Sequence, residues 1–252
     1  MRHLICIMAA ALALSSPAPA SAELDMFLKL DAIRGESTDA RHKDWIDVLS
    51  FSTCVDIAVA NGATVYPYRW HDTSADAYAA SRGAIAASRR QGTGYSLSPA
   101  SLRHIPPGTR LVLPSPNGST LSLSTGAVHT FAGCLRNADA IAQTLPQYGH
   151  HFSLILAGER WPDGSLRFAV EDLLGAGAII HHLPDTRSPE AAVAEATFLR
   201  FRSDLTTCLQ QCGSGRELQE RNFSEDVLLA GALNSSHAVP ILIDDAFVRR
   251  NL

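Results

Sequence analysis

From about residue 45 onward, short apolar runs alternate with longer segments whose apolar residues recur at helical spacing. Residues 45–49, 64–68, 110–113, 128–131, 152–157 and 239–243 read as strands. Residues 54–60, 75–88, 137–145, 171–183 and 189–211 read as helices, followed by 215–221 and 225–233. Strands that are apolar without alternation predict a sheet covered on both faces. The expected fold is therefore α/β, three-layered α/β/α, with a mostly parallel or mixed central sheet. Residues 92–108, rich in Gly, Ser and Pro, read as a long ordered loop, and no internal repeat is visible.

Open sheets of this kind bind ligands along the carboxyl ends of their strands. The loops expected there carry Ser50, Ser52 and Thr53, then Ser115-Pro116-Asn117-Gly118-Ser119, then Gly133, Cys134, Arg136 and Asn137, then Gly158, Glu159 and Arg160. Short polar residues let the backbone approach an oxyanion. Asp47 falls inside a strand-like run between Ile46 and Val48, where a carboxylate is costly unless paired or bound to metal. Beyond the charged stretch 158–168, Glu171 and Asp172 open an apolar helix containing Gly175 and Gly177. Acids gathered at strand ends and helix starts suit a hard cation and an anionic ligand.

Phosphate-ester hydrolysis needs charge neutralisation, an aligned nucleophile and help for the leaving alkoxide. Asp47, Glu171 and Asp172 are the candidate ligands for Mg²⁺, with Glu159 next. The catalytic candidates are Asp47, Glu159, Arg160 and Arg136, the arginines being suited to forked contacts with anions. Ser52, Thr53, Asn117, Gly118 and Asn137 are the candidate substrate-binding donors. Plainer roles are open to most of them: Glu171-Asp172 as a complement to a helix dipole, Asn117-Gly118 as a turn, Ser52 or Thr53 as a cap, Arg136 and Arg160 as solvated surface residues.

Composition narrows the partners. The 252 residues carry a net charge of −4 and no basic block, which argues against a nucleic-acid surface. Arg2 and His3 precede an apolar run over 4–14, and Ala20-Ser21-Ala22 forms a small-residue cleavage site. Residues 1–22 thus read as a signal peptide, giving an exported (periplasmic or secreted) chain that begins at Glu23 and has no membrane association after leader cleavage. Of the remaining cysteines, Cys208 and Cys212 share a helical stripe with Phe198, Phe201, Leu205 and Leu209 and read as buried thiols, not as a disulfide framework.

Specific segments carry a family resemblance. Residues 46–53 read Ile-Asp-Val-Leu-Ser-Phe-Ser-Thr. They are followed by Ala60-Asn61-Gly62-Ala63, Ser96-Leu97-Ser98-Pro99, Ser115-Pro116-Asn117-Gly118, Gly133-Cys134-Leu135-Arg136-Asn137-Ala138, the 158–177 stretch and Ser214-Gly215-Arg216-Glu217-Leu218. In this order and spacing, residues 46 to the C-terminus resemble the 2-phosphosulfolactate phosphatase family. The resemblance implies a three-layered α/β/α fold and magnesium-dependent hydrolysis of 2-phosphosulfolactate to sulfolactate and phosphate, in a cytoplasmic setting related to coenzyme M biosynthesis. The implied partner is a small anionic phosphate ester that also bears a carboxylate and a sulfonate, with room left for a homo-oligomer. Where many relatives carry an acidic segment, this chain reads Ala87-Ser88-Arg89-Arg90-Gln91-Gly92, whose arginines could meet a substrate anion.

Residues 24–51 resemble instead the start of the hemolysin-coregulated tube protein of type VI secretion. The expected organisation is a leader over 1–22, a tube-protein-like segment over 23–45 and a phosphatase domain over 46–252. The alternative reading is an exported, catalytically silent fusion that associates through the tube-like segment.

Overall fold

The structure, a computed structural model, describes residues 28–33, 42–69, 72–124, 129–149, 151–183 and 186–250. The expected leader and much of the tube-like segment lie outside the described residues.

One sheet organises the chain. Its strands are β1 (Leu28–Ile33), β2 (His42–Ile46), β3 (Thr64–Tyr68), β4 (Ile85–Ala86), β5 (Arg110–Pro114), β6 (His129–Gly133), β7 (His151–Leu156), β10 (Thr186–Arg187), β11 (Pro240–Ile243) and β12 (Ala246–Arg249). A separate small hairpin is made of β8 (Glu159–Arg160) and β9 (Leu166–Arg167). The spatial order is β10-β1-β7-β2-β6-β11-β12-β3-β5-β4. β2 runs parallel to both β6 and β7, and β3 and β4 run parallel to β5. Between these two parallel halves sits the antiparallel β11–β12 hairpin, which joins β6 on one side and β3 on the other. The sheet is thus mixed. At the far side, β1 pairs antiparallel with β7 along Leu28 to Ile33 and covers that edge.

Helices cover both faces. Strand residues alternate between them, as the two-residue repeat of a strand requires. Ala132, Val65, Leu111, Leu113 and Phe247 pack with α1 (Phe51–Ala60), and Ile155 packs with Leu121 of α3 (Gly118–Leu123), on one face. On the other face, Phe131, Phe152, Leu154 and Leu156 pack against α4 (Ala138–Thr144) and α5 (Val170–His182), while Tyr66 and Val112 meet Ala79 of α2 (Ser74–Ser81). The remaining helices, α6 (Pro189–Phe201), α7 (Leu205–Gln211), α8 (Gly213–Glu220) and α9 (Ser224–Ala230), extend the α5 side of the core.

Several expected boundaries move. The helix expected over 75–88 stops at Ser81, because Gly83 turns the chain with φ 58° and Ile85–Ala86 joins the sheet. The helix expected over 189–211 breaks at Arg202–Asp204, a turn with no buried residue to hold it in register. The strand expected over 45–49 lies over His42–Ile46 instead. Asp47 is therefore not inside a strand but directly beyond its carboxyl end.

Candidate active site

Asp47 sits where β2 ends and the chain turns into α1. The turn is closed by its own polar groups. The Asp47 N–H donates to Ser52 Oγ at 3.0 Å, Thr53 Oγ1 donates to the Val48 carbonyl at 2.7 Å, and Asp47 Oδ1 accepts the Phe51 N–H at 3.1 Å. An acid here stabilises the start of α1, whose free N–H groups favour negative charge. Only 7% of Asp47 is exposed. Burial draws its carboxyl up from an ordinary 3.8 to about 6; the Glu171 charge adds to the rise, while the Phe51 and Gly118 N–H groups and Arg90 oppose it.

Helix α5 brings the second group of acids. It approaches the β2 end closely because Gly175 has no side chain: a Cβ there would lie 2.7 Å from Val48 Cγ2 and 3.0 Å from Ile46 Cγ2. This packing sets Glu171 and Asp172, both nearly fully buried, beside the Asp47 turn. Asp172 spends its oxygens on the backbone, Oδ1 accepting the Val48 N–H at 2.8 Å and Oδ2 the Gly158 N–H at 2.9 Å. Burial, with the charges of Asp47 and Glu171, raises its carboxyl well above the usual range. Asp172 thus straps two strand-end loops to the helix, a different task from the metal ligation expected of it. The Cys212 thiol also reaches Glu171.

The third side comes from the β5 and β7 ends. Asn117 Nδ2 donates to the Gly158 carbonyl and to Glu159 Oε2, each at 3.3 Å. Burial, then the charges of Asp47 and Glu171, raise Glu159 from 4.5 to about 7, with Arg167 acting in the opposite sense. Gly118 lets α3 lie against α1, since a Cβ there would fall 2.4 Å from Phe51 Cδ1. Its N–H also donates to Ser115 Oγ at 3.2 Å.

Asp47, Glu159, Glu171, Asn117 and Gly118 therefore converge, with Asp172 behind them. Other expected residues are placed differently. Arg136 is committed to a buried pair: Nε donates to Asp56 Oδ2 at 2.9 Å and Nη1 to the Leu229 carbonyl at 3.1 Å. Asn137 is fully buried, donating to the Ala132 and Ala238 carbonyls and accepting the Cys134 N–H, so its amide holds the β6 turn instead of facing a ligand. Arg160 is exposed and donates to the Gly164 carbonyl within its own hairpin. Ser52 and Thr53 serve the Asp47 turn, as described above.

Two cations act on the acids instead: Arg90, expected as a contact for a substrate anion, is paired within the protein, and Arg167 was not expected at the site. Arg90 donates to Ser50 Oγ at 2.9 Å and to Asp226 Oδ2 at 2.6 Å, and Asp226 Oδ1 accepts from Ser98 Oγ and the Ala100 N–H. Arg167, on β9, is the cross-strand partner of Glu159. The signal for Arg90 lay in the Arg89-Arg90 pair; nothing in the local sequence distinguished Arg167.

Residues 41–245 match the model of the 2-phosphosulpholactate phosphatase family. The chain belongs to that family. A "Probable 2-phosphosulfolactate phosphatase" of Pseudothermotoga lettingae is 25% identical over 210 residues, covering 81% of this chain and 91% of its own. A "2-phosphosulfolactate phosphatase" of Methanothermobacter thermautotrophicus is 30% identical over 137 residues, covering 54% and 58%. A "Probable 2-phosphosulfolactate phosphatase" of Gloeobacter violaceus is 25% identical over 206 residues, covering 77% and 85%.

The match to the phosphatase family begins at residue 41, inside the segment that resembled the tube protein, and so takes in β2 and the Asp47 turn. The tube-protein resemblance gains no support from these relatives. Among the described residues no three His, Cys, Asp or Glu side chains form a ready-made cage. Magnesium asks for less, being held by one or two carboxylates with waters and substrate oxygens completing its shell. Asp47 and Glu171 fit that demand in kind: both are hard oxygen donors, both are buried, and the charge of Glu171 makes ionisation of Asp47 harder.

Proposed function

We propose that this chain hydrolyses 2-phosphosulfolactate, or a similar phosphorylated hydroxy acid, to the free hydroxy acid and phosphate, with Mg²⁺ held by Asp47 and Glu171. The observation that carries the reading is the meeting of these two buried carboxylates, from the β2 end and the α5 start, at the carboxyl edge of the sheet. Family membership supplies the reaction class.

When bound, the ion supplies charge neutralisation to the phosphoryl oxygens. The protein's own groups do the rest. Arg90, braced by Asp226, holds Ser50 and so fixes the turn that aims Asp47. Asn117 orients Glu159 through Oε2. Glu159, with a value near 7, exchanges a proton close to neutrality and is suited to protonate the leaving alkoxide.

Phosphate release from 2-phosphosulfolactate by purified chain, measured with and without a chelator, tests the proposal. Release that stops on chelation and returns with Mg²⁺ is expected. Equal rates in both conditions would remove the metal, and no release would remove the hydrolase.

A further inference from the structure

We propose that Arg167 selects substrates bearing a second anionic group, and that Glu217 keeps its guanidinium fork in waiting by occupying the place which that anion takes. The inference rests on the phosphatase reading above and names the residue behind its substrate preference.

Arg167 and Glu159 are direct partners across the β8–β9 hairpin, so their side chains leave the same face of the ribbon. That face carries the proton-exchanging acid, and Asn117 ties the acid to the α3 start. A cation at this position neighbours Glu159 without belonging to the acid cluster. The Arg167 side chain is only 16% exposed, and its guanidinium stacks over the Trp161 ring at 5.6 Å. It also reaches the start of α8, where Nη1 would lie 2.7 Å from a Cβ built on Gly213. The fork is thus held in one place by packing.

Its present partner is held far less firmly. Nη1 meets Glu217 Oε1 at 2.9 Å and Nη2 donates to Oε2 at 3.1 Å, a two-pronged contact of the kind guanidinium makes with carboxylate-like anions. Glu217 is 59% exposed, so it can swing into water at little cost. Two other arginines contrast with it. Arg136 is paired with Asp56 and Arg90 with Asp226, both carboxylates that are fully buried. Drawing either arginine onto a ligand would strand a buried charge. Of these three, Arg167 alone can exchange its partner for a ligand freely.

A second anion on the carbon skeleton attached to the phosphoester oxygen would place its charge on the fork. Carboxylate and sulfonate share the required geometry.

Calorimetric titration of the full chain tests this with sulfolactate, lactate and inorganic phosphate as separate probes. Arg167→Met, which keeps the apolar stem, is expected to weaken sulfolactate at least tenfold and to change phosphate less than twofold. Glu217→Gln is expected to tighten sulfolactate several-fold with phosphate unchanged. A parallel loss for lactate assigns the carboxylate to the fork, whereas a loss confined to sulfolactate assigns the sulfonate. Equal weakening of phosphate and sulfolactate in Arg167→Met, or unchanged sulfolactate binding in both variants, would overturn the proposal. So would the absence of sulfolactate binding to the unaltered chain. If the binding pattern holds while no phosphate ester is hydrolysed, the phosphatase reading fails and the selectivity assignment stands.

Discussion

The Val48 N–H donates to Asp172 Oδ1 at 2.8 Å across 124 residues of chain, and the partner oxygen of the same carboxyl group receives the Gly158 N–H. One side chain therefore fastens the loops after β2 and β7 to the start of α5. Its neighbour Glu171 is left to face Asp47. On the proposed reading, the adjacent acids divide structure from chemistry.

Replacing them should separate the two roles. Asp172→Ala leaves two N–H groups without their acceptor, at about 1–3 kcal/mol each, and should lower the melting temperature with or without Mg²⁺. The rise in melting temperature on adding Mg²⁺ should persist in this variant. Glu171→Gln should abolish that rise. Melts of the two variants with and without the ion check both statements, and loss of the Mg²⁺ response in Asp172→Ala alone would reverse the assignment.

Asp47 makes stability depend on pH in a definite direction. Its folded value, about 6, lies above an ordinary 3.8, so the folded chain holds the proton more tightly than the unfolded chain. This contribution is complete below the unfolded value and is lost as pH rises through about 6. Without divalent ions, the melting temperature should therefore fall between pH 4 and pH 7. Keeping the carboxylate ionised at pH 8 costs about 3 kcal/mol. Asp47→Asn, whose amide oxygen still accepts the Phe51 N–H, should recover most of that and raise the metal-free melting temperature at pH 8 by about 5–10 °C.

The buried pair of Arg90 and Asp226 predicts the opposite result. Asp226 is fully buried and receives Ser98, Ala100 and Arg90. Asp226→Ala strands the guanidinium and should cost about 3–5 kcal/mol, read as a lower denaturation midpoint. Because Arg90 also holds Ser50, phosphatase activity should fall with it.

How far the sequence exposed these relationships depends on where each partner lay. The strand over 64–68 was legible because Thr64–Tyr68 is an apolar run with β-forming residues, and the structure places it there. β2 was displaced because His42-Lys43-Asp44 has no apolar run; its strand form comes from pairing with β6 and β7 on both sides. The acids at Asp47 and Glu171 were conspicuous as charges at the edges of apolar elements. Arg136 departs from its expected role because Asp56, a lone acid inside an apolar helix, requires a cation as its partner. The contact of Asp226 with Arg90 spans 136 residues, and nothing close to either residue in the chain announces it.

Gly118 offers a test of packing at the site. An added methyl group would lie 2.4 Å from the Phe51 ring, which must shift together with the N–H that Asp47 accepts. Gly118→Ala should cost about 1–3 kcal/mol in a thermal or denaturant melt and slow turnover more than tenfold. Normal turnover in a destabilised variant would show that the Phe51 contact does not aim Asp47.

The most direct measurement is the rate of phosphate release from 2-phosphosulfolactate at saturating Mg²⁺, compared between the unaltered chain and Asp47→Asn after a melt has shown the variant to be folded. The carboxylate pair predicts a variant that is at least as stable as the parent in the absence of metal and loses activity by a factor of a hundred or more. A folded Asp47→Asn protein that releases phosphate at the parental rate would contradict the account.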